Sequence, residues 1–353
     1  MRHSDVPRPD STVETPILEC GNEQAESWDR FVTAASGTYC HLFGWKRVIE
    51  RTYGLQTLFL AFGPSENWRA VLPIAFMPGL SGRYRKAVSL PYCNYGGLLA
   101  GPGIDRNSLR QEVLRFLAGK QISAVEFREM GSEAPGCKDV TMILSLSKSA
   151  DLLWKRLGDK VRNQIRKAQR SGLSLRWGRD QAQELYGIYS QNMGRLGTPV
   201  HSRRFIQEIL SNFPAQTDLL TVRLGDRAIG AMLVFKHAHI WADPFASSLA
   251  EFNSRNANML LYWEALRAAC EAGATSFDFG RSPRDSGTYR FKKQWGAQPI
   301  DLCYSNYLSG KKSSFSATSF YRSRTANKLA SLWSFLPYFL QIRFGPILRR
   351  FMP

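Results

Sequence analysis

The pattern of apolar and polar residues predicts the same order of elements twice along the chain. In residues 21–148, two short helices precede three strands, the helix "SLRQEVLRFLAGK" and the strand "AVEFREM". In residues 149–308, two helices, a three-stranded meander, the helix "NMLLYWEALRAACEAG" and the strand "SFDFG" repeat that order. Because helical and alternating spacings distinguish the two kinds of element, we predict an α+β fold of two similar domains with mixed, largely antiparallel sheets.

The segment that joins the repeats, residues 151–171, has the spacing of one amphipathic helix. Apolar residues recur every three or four positions from Leu153 to Ala168, cations fill the remaining circumference, and Gly172 ends the pattern. Such a helix is either a solvated surface element or a basic rail that grips phosphate or the tRNA backbone.

Targeting signals and cysteine spacing indicate a cytoplasmic protein. Residues 1–20 are polar and proline-rich without the apolar stretch of a signal peptide, so we expect a disordered leader. No run of 18 apolar residues occurs, so no membrane-spanning helix is expected. Six cysteines are scattered without a C-x-x-C pair, which predicts reduced thiols and neither a zinc ribbon nor a disulfide framework.

The net charge of +18 changes this picture, because it implies an anionic partner. Nucleic acid, a phosphorylated substrate and an anionic membrane all fit, as does a merely basic surface. The sequence has none of the aromatic and basic signatures of common nucleic-acid modules, and no DNA partner is predicted.

The C-terminal tail, residues 309–353, is both basic and apolar. Residues 305–353 contain eight lysines and arginines and no acidic residue. The stretch "LASLWSFLPYFLQIRFGPILRRFMP" is too short and too interrupted by Pro337 to span a bilayer. We expect it to lie in the headgroup region of an anionic inner leaflet, which would make the protein peripheral on the inner membrane. The alternative is a tail docked on the protein's own surface.

Familiar catalytic motifs do not occur in the sequence. There is no G-x-S-x-G turn and no H-E-x-x-H helix. His237 and His239 flank a turn, but no carboxylate lies at ligand spacing from them. Neither a catalytic triad nor a metal site is predicted.

Five segments within about residues 25–308 carry a family resemblance. They are "HLFGWKRVIE", "SLPYCNYGGLL", "GDKVRNQIRKAQRSGL", "FNSRNANMLLYWEALRAACEAGATSFDFGRS" and "GTYRFKKQWGA". In this order and spacing they resemble the signature segments of FemAB-type proteins. More narrowly, the chain is similar to the FemAB-like group found with exosortase and exopolysaccharide loci in Gram-negative bacteria. The resemblance implies two tandem GNAT-like (acyl-CoA N-acyltransferase-like) domains, residues 21–148 and 149–308.

FemAB proteins transfer an amino acid from aminoacyl-tRNA to the stem-peptide amine of a peptidoglycan precursor, and they need no metal. The resemblance therefore implies an aminoacyl or acyl transferase. Its acceptor would be an amine or hydroxyl on a phosphate-bearing glycan precursor of peptidoglycan or exopolysaccharide. The implied donor is aminoacyl-tRNA or another activated acyl group, and no cofactor is implied. The alternative is a non-catalytic basic scaffold at the membrane or on RNA.

Acetyl-CoA is a less favoured donor for a residue-level reason. GNAT domains bind the CoA pyrophosphate on backbone N–H groups of a glycine-containing loop at a helix start. The corresponding segment of the second repeat, "ASSLAEFNSRNAN", contains no glycine. We therefore expect weak or absent acetyl-CoA binding.

The candidate catalytic residues follow the strand "SFDFG". Acyl transfer needs a donor for the developing oxyanion and a path for a proton. By resemblance, Lys292 and Lys293 are the cations that face the carbonyl. A tyrosine can donate or relay a proton, which is the role expected of Tyr289, and Asp278, which faces opposite to its strand neighbours, is expected to orient a cation. The alternative is a basic surface loop held in place by core residues.

The candidate substrate-binding residues are cations and aromatic or amide side chains, which suit phosphate and sugar groups. Trp45 is equally compatible with the role of a core anchor for its helix. Asn94 and Tyr95, in "NYGG", are equally compatible with a structural tight turn. The resemblance assigns Trp45 and Lys46 to the sugar-nucleotide side of the acceptor, and Arg195, His201 and Arg203 to the diphosphate. Asn94 and Tyr95 form a second polar cluster, and Arg281 and Arg284, which follow the end of the strand "SFDFG", are expected at the rim of a cleft.

Overall fold

The computed structural model describes residues 16–65, 67–78, 84–131, 137–313 and 324–352. Each repeat contains the predicted order of two helices, a meander, a helix and a returning strand, which confirms the α+β prediction. The first repeat consists of β1 (Ile17–Glu19), α1 (Ala25–Ala34), α2 (Gly44–Tyr53), β2 (Thr57–Phe62), β3 (Ala70–Pro78), β4 (Tyr84–Ser89), β5 (Leu99–Ala100), α3 (Arg106–Gly119), β6 (Ala124–Met130) and β7 (Asp139–Ser145).

The rest of the described chain repeats that order and then adds elements of its own. A short helix, α9, and two C-terminal helices were not predicted as helices. The elements are α4 (Ala150–Arg156), α5 (Asp159–Gln169), β8 (Leu173–Trp177), α6 (Ala182–Arg195), α7 (Arg203–Asn212), β9 (Thr217–Leu224), β10 (Arg227–His237), β11 (Ile240–Ser248), α8 (Ala257–Glu271), β12 (Ser276–Pro283), α9 (Gly287–Lys293), β13 (Gln298–Leu308), β14 (Lys311–Ser313), α10 (Arg324–Phe335) and α11 (Tyr338–Arg349).

The described strands form one continuous sheet that passes through both repeats. Its order is β1-β2-β3-β4-β6-β13-β7-β12-β11-β10-β9-β8, with β5 beside β3 and β14 beside β13. Strand β13, from the second repeat, lies between β6 and β7 of the first, and β7 pairs with β12. Strands are thus exchanged across the sequence boundary at residues 148/149. Among the described pairings, only β4 with β6 and β11 with β12 are parallel.

Two sequence predictions about local structure need correction. The leader is ordered at its end, because Ile17–Glu19 form β1 and pair with β2; residues 1–15 lie outside the described residues. The joining segment is two helices, since Leu157 and Gly158 have extended backbones between α4 and α5. The apolar stripe of the segment is nevertheless buried as predicted, against α8.

The prediction that the cysteines lack disulfides is wrong at one pair. Cys137 and Cys303 form a disulfide across 166 residues of sequence, while the other four cysteines are free and buried. The strand exchange places β13 beside β7, and Cys137 lies two residues before the start of β7. Local cysteine spacing cannot show a bond that depends on this long-range pairing.

The tail forms a helical hairpin that docks on α6, as the alternative interpretation of the tail held. The Tyr338 hydroxyl lies 2.7 Å from Ser190 Oγ, and Arg349 Nε donates to His201 Nε2 at 3.0 Å. Gln341 is buried, and its amide donates to the carbonyls of Trp333 and Leu336 at 3.0 Å each. Within the described part of the chain, no helix is long and apolar enough to cross a membrane.

Candidate active site

The candidate site lies where the parallel strands β11 and β12 part. They pair from Ile240↔Ser276 to Ala242↔Asp278, and the pairing then stops although both strands continue. Both strands carry a bulge just after this point. Between Ala242 and Phe245, β11 has one residue more than the facing part of β10, and between Asp278 and Arg281, β12 has one residue more than the facing part of β7. Bulges commonly end pairing and redirect side chains near active sites. The result is an opening in the sheet of the second repeat.

Gly280 forms the bulge in β12 and requires its lack of a side chain. Its φ is +71°, and a Cβ there would lie 3.2 Å from Asn94 Nδ2. Its N–H donates to Asp278 Oδ1 at 2.8 Å. The Lys292 ammonium donates to the carbonyls of Gly280 and Arg281, at 2.9 Å each. A carboxylate and an ammonium therefore hold the bulge from its two sides.

The first repeat supplies polar groups to the same place. The Tyr95 hydroxyl donates to Asp278 Oδ2 at 2.6 Å, and Thr141 Oγ1 donates to Oδ1 at 2.5 Å. The Asn94 carbonyl accepts from the Tyr304 hydroxyl at 2.6 Å. Asn94, Tyr95, Asp278 and Lys292, which the sequence assigned to two separate clusters, are thus assembled at one junction of the two repeats.

Lys292 and its neighbour Lys293 have different environments. The segment after β12, which the alternative interpretation took as a basic surface loop, forms the helix α9. Its first turn is capped by Ser286, which accepts from the Tyr289 N–H at 3.1 Å. Lys292 faces inward and is 8% exposed. Lys293 is exposed, with its ammonium 5.7 Å from the centre of the half-buried Tyr289 ring. Of the two lysines proposed to face a carbonyl, the structure brings only Lys292 to the parted strands.

A carboxylate that the sequence analysis missed, Asp243, stands at the bulge in β11. It is buried; its Oδ2 accepts from the Tyr262 hydroxyl at 2.5 Å, and its Oδ1 has no hydrogen-bond partner in the described residues. Burial raises the pKa of Asp243 to about 7, although the Lys292 charge opposes this shift. Burial lowers the pKa of Lys292, and the negative charges of Asp243 and Asp278 oppose that shift. The only sequence signal was an acid followed by a proline inside the apolar strand "HIWADPF".

Trp45 is buried in the core, which corrects its assignment to the acceptor, and the cation of Lys46 is already paired. Trp45 is 1% exposed, and its indole N–H donates to the Tyr39 carbonyl at 2.8 Å. Its ring packs between the repeats, 5.4 Å from the Phe213 ring. The Lys46 ammonium pairs with Glu50 at 2.8 Å. Trp45 is the core anchor that the alternative interpretation allowed.

The residues assigned to a diphosphate lie on or directly before the helices α6 and α7. His201 is buried, contacts the Tyr53 hydroxyl through Nδ1 and accepts from Arg349; burial lowers its pKa well below the usual range. Arg195 is exposed and donates to Asn192 at 3.0 Å. Arg203 stacks on Tyr186 in a shallow groove between α6 and α7. His201 is therefore a docking point for the tail.

Arg281 and Arg284, which were assigned to the cleft rim, differ in whether their side chains already bind other groups of the protein. Arg284 forms an ion pair with Asp301 and donates to the Cys137 carbonyl at 3.2 Å, so it braces the corner beside the disulfide. The Arg281 side chain is exposed and makes no ion pair with any described residue, while its carbonyl accepts from Lys292. Arg281 is the rim cation that can still meet an anion. No group of three or more His, Cys, Asp or Glu residues in the described chain is arranged for a metal.

Comparisons with known proteins agree with this geometry. Residues 156–293, which include β11, β12 and α9, match the family described as an acetyltransferase (GNAT) domain. A comparison with curated proteins gave no significant match.

Solved structures extend the likeness to both repeats. FemX superposes with a TM-score of 0.64 at 14% identity, covering 87% of this chain and 99% of that one. A tandem GNAT protein from the clavulanic acid pathway gives 0.54 at 11%, covering 85% and 100%. The C-terminal domain of a putative lysylphosphatidylglycerol synthetase from Agrobacterium fabrum gives 0.55 at 12%, covering 88% and 97%. The chain therefore has the tandem GNAT fold that it shares with FemX, and its second repeat matches an acetyltransferase (GNAT) domain.

Proposed function

We propose that this protein transfers an aminoacyl or other acyl group from an activated ester to an amine or hydroxyl of a cell-envelope glycan precursor. The observation that carries the proposal is the parting of β11 and β12 beside a buried ammonium and a hydrogen bond between the repeats. The fold shared with FemX supports the acyl-transfer class. An opening between parallel strands gives an extended donor group a place beside unpaired backbone groups.

In this proposal Lys292 stabilises the tetrahedral intermediate. An ammonium has three N–H donors, and two of them go to the carbonyls of Gly280 and Arg281. The third is left for the oxyanion that develops on the donor carbonyl. A charge held in a buried site needs little rearrangement during the reaction, which is what makes such stabilisation effective. Positioning of donor and acceptor supplies much of the remaining rate.

Arg281 is proposed to bind a phosphate of the acceptor. Its guanidinium is exposed at the rim, one residue after the bulge, and can bind a phosphate through two N–H groups. The carrier of that phosphate is a nucleotide or a lipid. A donor of the aminoacyl-tRNA class agrees with the high positive charge of the chain.

The C-terminal hairpin is proposed to hold the protein peripherally on an anionic membrane. Its outer face is strongly apolar, and the exposed Lys328, Arg343 and Arg350 accompany that face. A lipid-linked acceptor would then lie in the same plane as the enzyme. The name of the Agrobacterium fabrum relative also refers to an enzyme with a lipid product.

The function can be tested with bulk tRNA charged with labelled amino acids and a UDP-linked muramyl pentapeptide as the probe acceptor. We expect label to move from tRNA to the peptide. Arg281→Ala should raise the KM for the acceptor roughly 10- to 100-fold, as for loss of about 1.5–3 kcal/mol from one charge-assisted hydrogen bond. Lys46→Ala is the matched control, because its cation is already paired with Glu50.

Two outcomes would contradict the proposal. Equal KM values in the Arg281→Ala and Lys46→Ala proteins would remove Arg281 from the acceptor site. If no charged tRNA gives transfer while the protein still binds tRNA or acidic vesicles, the scaffold alternative is favoured instead.

A further inference from the structure

A buried carboxylate oxygen at the candidate site has no partner. Asp243 is 6% exposed, and Tyr262 occupies its Oδ2. Its Oδ1 is buried without a hydrogen bond to any described residue. Leaving a polar atom buried and unpaired costs stability, so such an atom in a folded protein requires an explanation.

The backbone around Asp243 directs it to the opening in the sheet. Between Ala242 and Phe245, β11 contains one residue more than the facing part of β10, and Pro244 in this bulge has no N–H to pair. Asp243 is also the first residue after the last parallel pair of β11 with β12. The unpaired oxygen and the place where the strands part therefore coincide.

We propose that Asp243 is the catalytic proton acceptor, which takes the proton of the attacking amine or hydroxyl on its free Oδ1. The inference rests on the proposed transferase function. As the acceptor nitrogen or oxygen forms its bond to the donor carbonyl carbon, its proton moves to Oδ1. When the bond from that carbon to the donor oxygen breaks, the proton moves from Oδ1 to the leaving oxygen. The carboxylate is regenerated, and no further reactant is needed.

The charged and titratable groups that face Asp243 suit this role. Tyr262 from α8 donates to Oδ2 and holds the carboxylate in place. The positive charge of Lys292, from α9, lowers the pKa of Asp243, and the negative charge of Asp278, from β12, raises it. Burial raises the pKa of Asp243 to about 7, against the opposing influence of Lys292 and Tyr262. A proton acceptor works best with a pKa near the operating pH. Because Lys292 is beside it, one pocket would hold both the oxyanion donor and the base.

The test is single-turnover transfer from charged tRNA to the UDP-linked muramyl pentapeptide between pH 5 and 9. In the wild-type protein the rate should rise with pH through an inflection near the pKa of Asp243. Asp243→Asn keeps the shape of the side chain and should slow transfer by roughly 10²- to 10⁴-fold. It should also abolish the inflection without changing the acceptor concentration needed for half-saturation.

A second variant keeps the inference falsifiable if Asp243→Asn folds poorly. Tyr262→Phe removes the hydrogen bond that favours the ionised carboxylate, so the inflection should move to higher pH while transfer persists. The control is Asp218→Asn, a partly exposed acid on β9 paired with Lys236, which should change neither rate nor inflection.

The outcomes separate the two proposals. Wild-type transfer with an unchanged rate in Asp243→Asn, or an unmoved inflection in Tyr262→Phe, overturns the role of Asp243 and leaves the transferase function standing. If the wild-type protein transfers nothing from any charged tRNA, the proposed function falls and this inference falls with it.

Discussion

At the scale of single residues, the two adjacent lysines of α9 differ enough to be distinguished by experiment. Lys292 is buried and bonded to two carbonyls, whereas Lys293 is exposed. Lys292→Met should lower the free energy of unfolding by about 3 kcal/mol, because hydrogen bonds from a charged group are lost and acceptors stay buried. Lys293→Ala should change it by no more than about 0.5 kcal/mol. Urea denaturation of both variants provides the measurement.

Transfer assays on the same two proteins test the assignment of the carbonyl-facing cation. We expect Lys293→Ala to keep its transfer rate within a few fold and Lys292→Met to lose it. A large loss in Lys293→Ala with an unchanged free energy of unfolding would return that role to Lys293.

The raised pKa of Asp243 also predicts that the free energy of unfolding depends on pH, which can be measured without a substrate. Its pKa in the folded protein is about 7, above the ordinary value of 3.8 expected in the unfolded chain. Between about pH 4 and 7 the unfolded state loses this proton and the folded state keeps it, so the contribution of Asp243 to stability falls as the pH rises. The fall is about 4 kcal/mol at most, since one pKa unit corresponds to about 1.4 kcal/mol.

Buried histidines act in the opposite direction, so the comparison must be with a variant. Burial lowers the pKa of His41 to about 4, so its contribution to stability is lost as the pH falls from about 6.5 to 4. We therefore expect the difference in unfolding free energy, wild type minus Asp243→Asn, to decrease between pH 4.5 and 8. A difference that stays constant over this range would show that the Asp243 pKa is not raised.

At the scale of secondary structure elements, the local pattern of apolar and polar residues was sufficient to predict the helices and strands that both repeats share. The predicted strand "AVEFREM" is β6, and Ser202 caps α7 by accepting from the Phe205 N–H at 3.2 Å. Strands β7 and β13 were not predicted. They pair with each other across more than 150 residues of sequence, and that pairing, not local periodicity, defines them. The helix α9 has seven residues, which is too short for a periodic signal.

The candidate site was predictable only where the chemistry followed a strand directly. Lys292 was selected because the segment after β12 resembles a FemAB segment, and Asp278 because it faces opposite to its neighbours in β12. Asp243 was missed because it lies within an apolar strand, and the sequence does not show the bulge in β11 at which it stands. Trp45 was assigned to a ligand because sequence does not show which face of α2 packs against α7.

The segment before α8 predicts weak binding of acetyl-CoA. Ala250–Arg255 form a 3-10 helix, in which the N–H groups of Phe252 and Asn256 already donate to the carbonyls of Leu249 and Asn253. These two donors are then not available to a pyrophosphate. Calorimetry should show no micromolar binding of acetyl-CoA to the full chain. Micromolar affinity would instead indicate a CoA-dependent acyl transferase.

At the scale of the whole molecule, apolar exposure is concentrated in one place. A contiguous apolar surface of this size usually marks an interaction site, and aromatic residues beside cations suit the headgroup region of an anionic membrane. Ten of the thirteen large hydrophobic side chains exposed in the described residues belong to the hairpin: Leu329, Leu332, Phe335, Leu336, Tyr338, Phe339, Phe344, Ile347, Leu348 and Phe351.

The hairpin is held against α6, so it would fix an orientation as well as a location. Gly194 and Gly197 allow the close approach, since a Cβ on either would overlap Gln341 or the Ala330 carbonyl. The bond from Arg349 to His201 ties the second helix to the body. A membrane-bound hairpin would therefore hold the parted strands at a fixed distance from the lipid surface.

Vesicle binding by variants of the outer face tests this arrangement without disturbing the docked side. Phe335 and Phe339 are 83% and 65% exposed, so the double change to serine should leave the fold intact. Burying a phenylalanine in an apolar environment contributes about 1.5–3 kcal/mol. The double variant should therefore bind vesicles containing phosphatidylglycerol at least tenfold more weakly than wild type. Leu152→Ser, which changes an exposed leucine on α4, is the control and should bind like wild type. Binding should also weaken with added salt, because cations near the face contribute about 1 kcal/mol each. If the wild-type protein and the double variant sediment equally with these vesicles at low salt, the hairpin is not the membrane-binding surface.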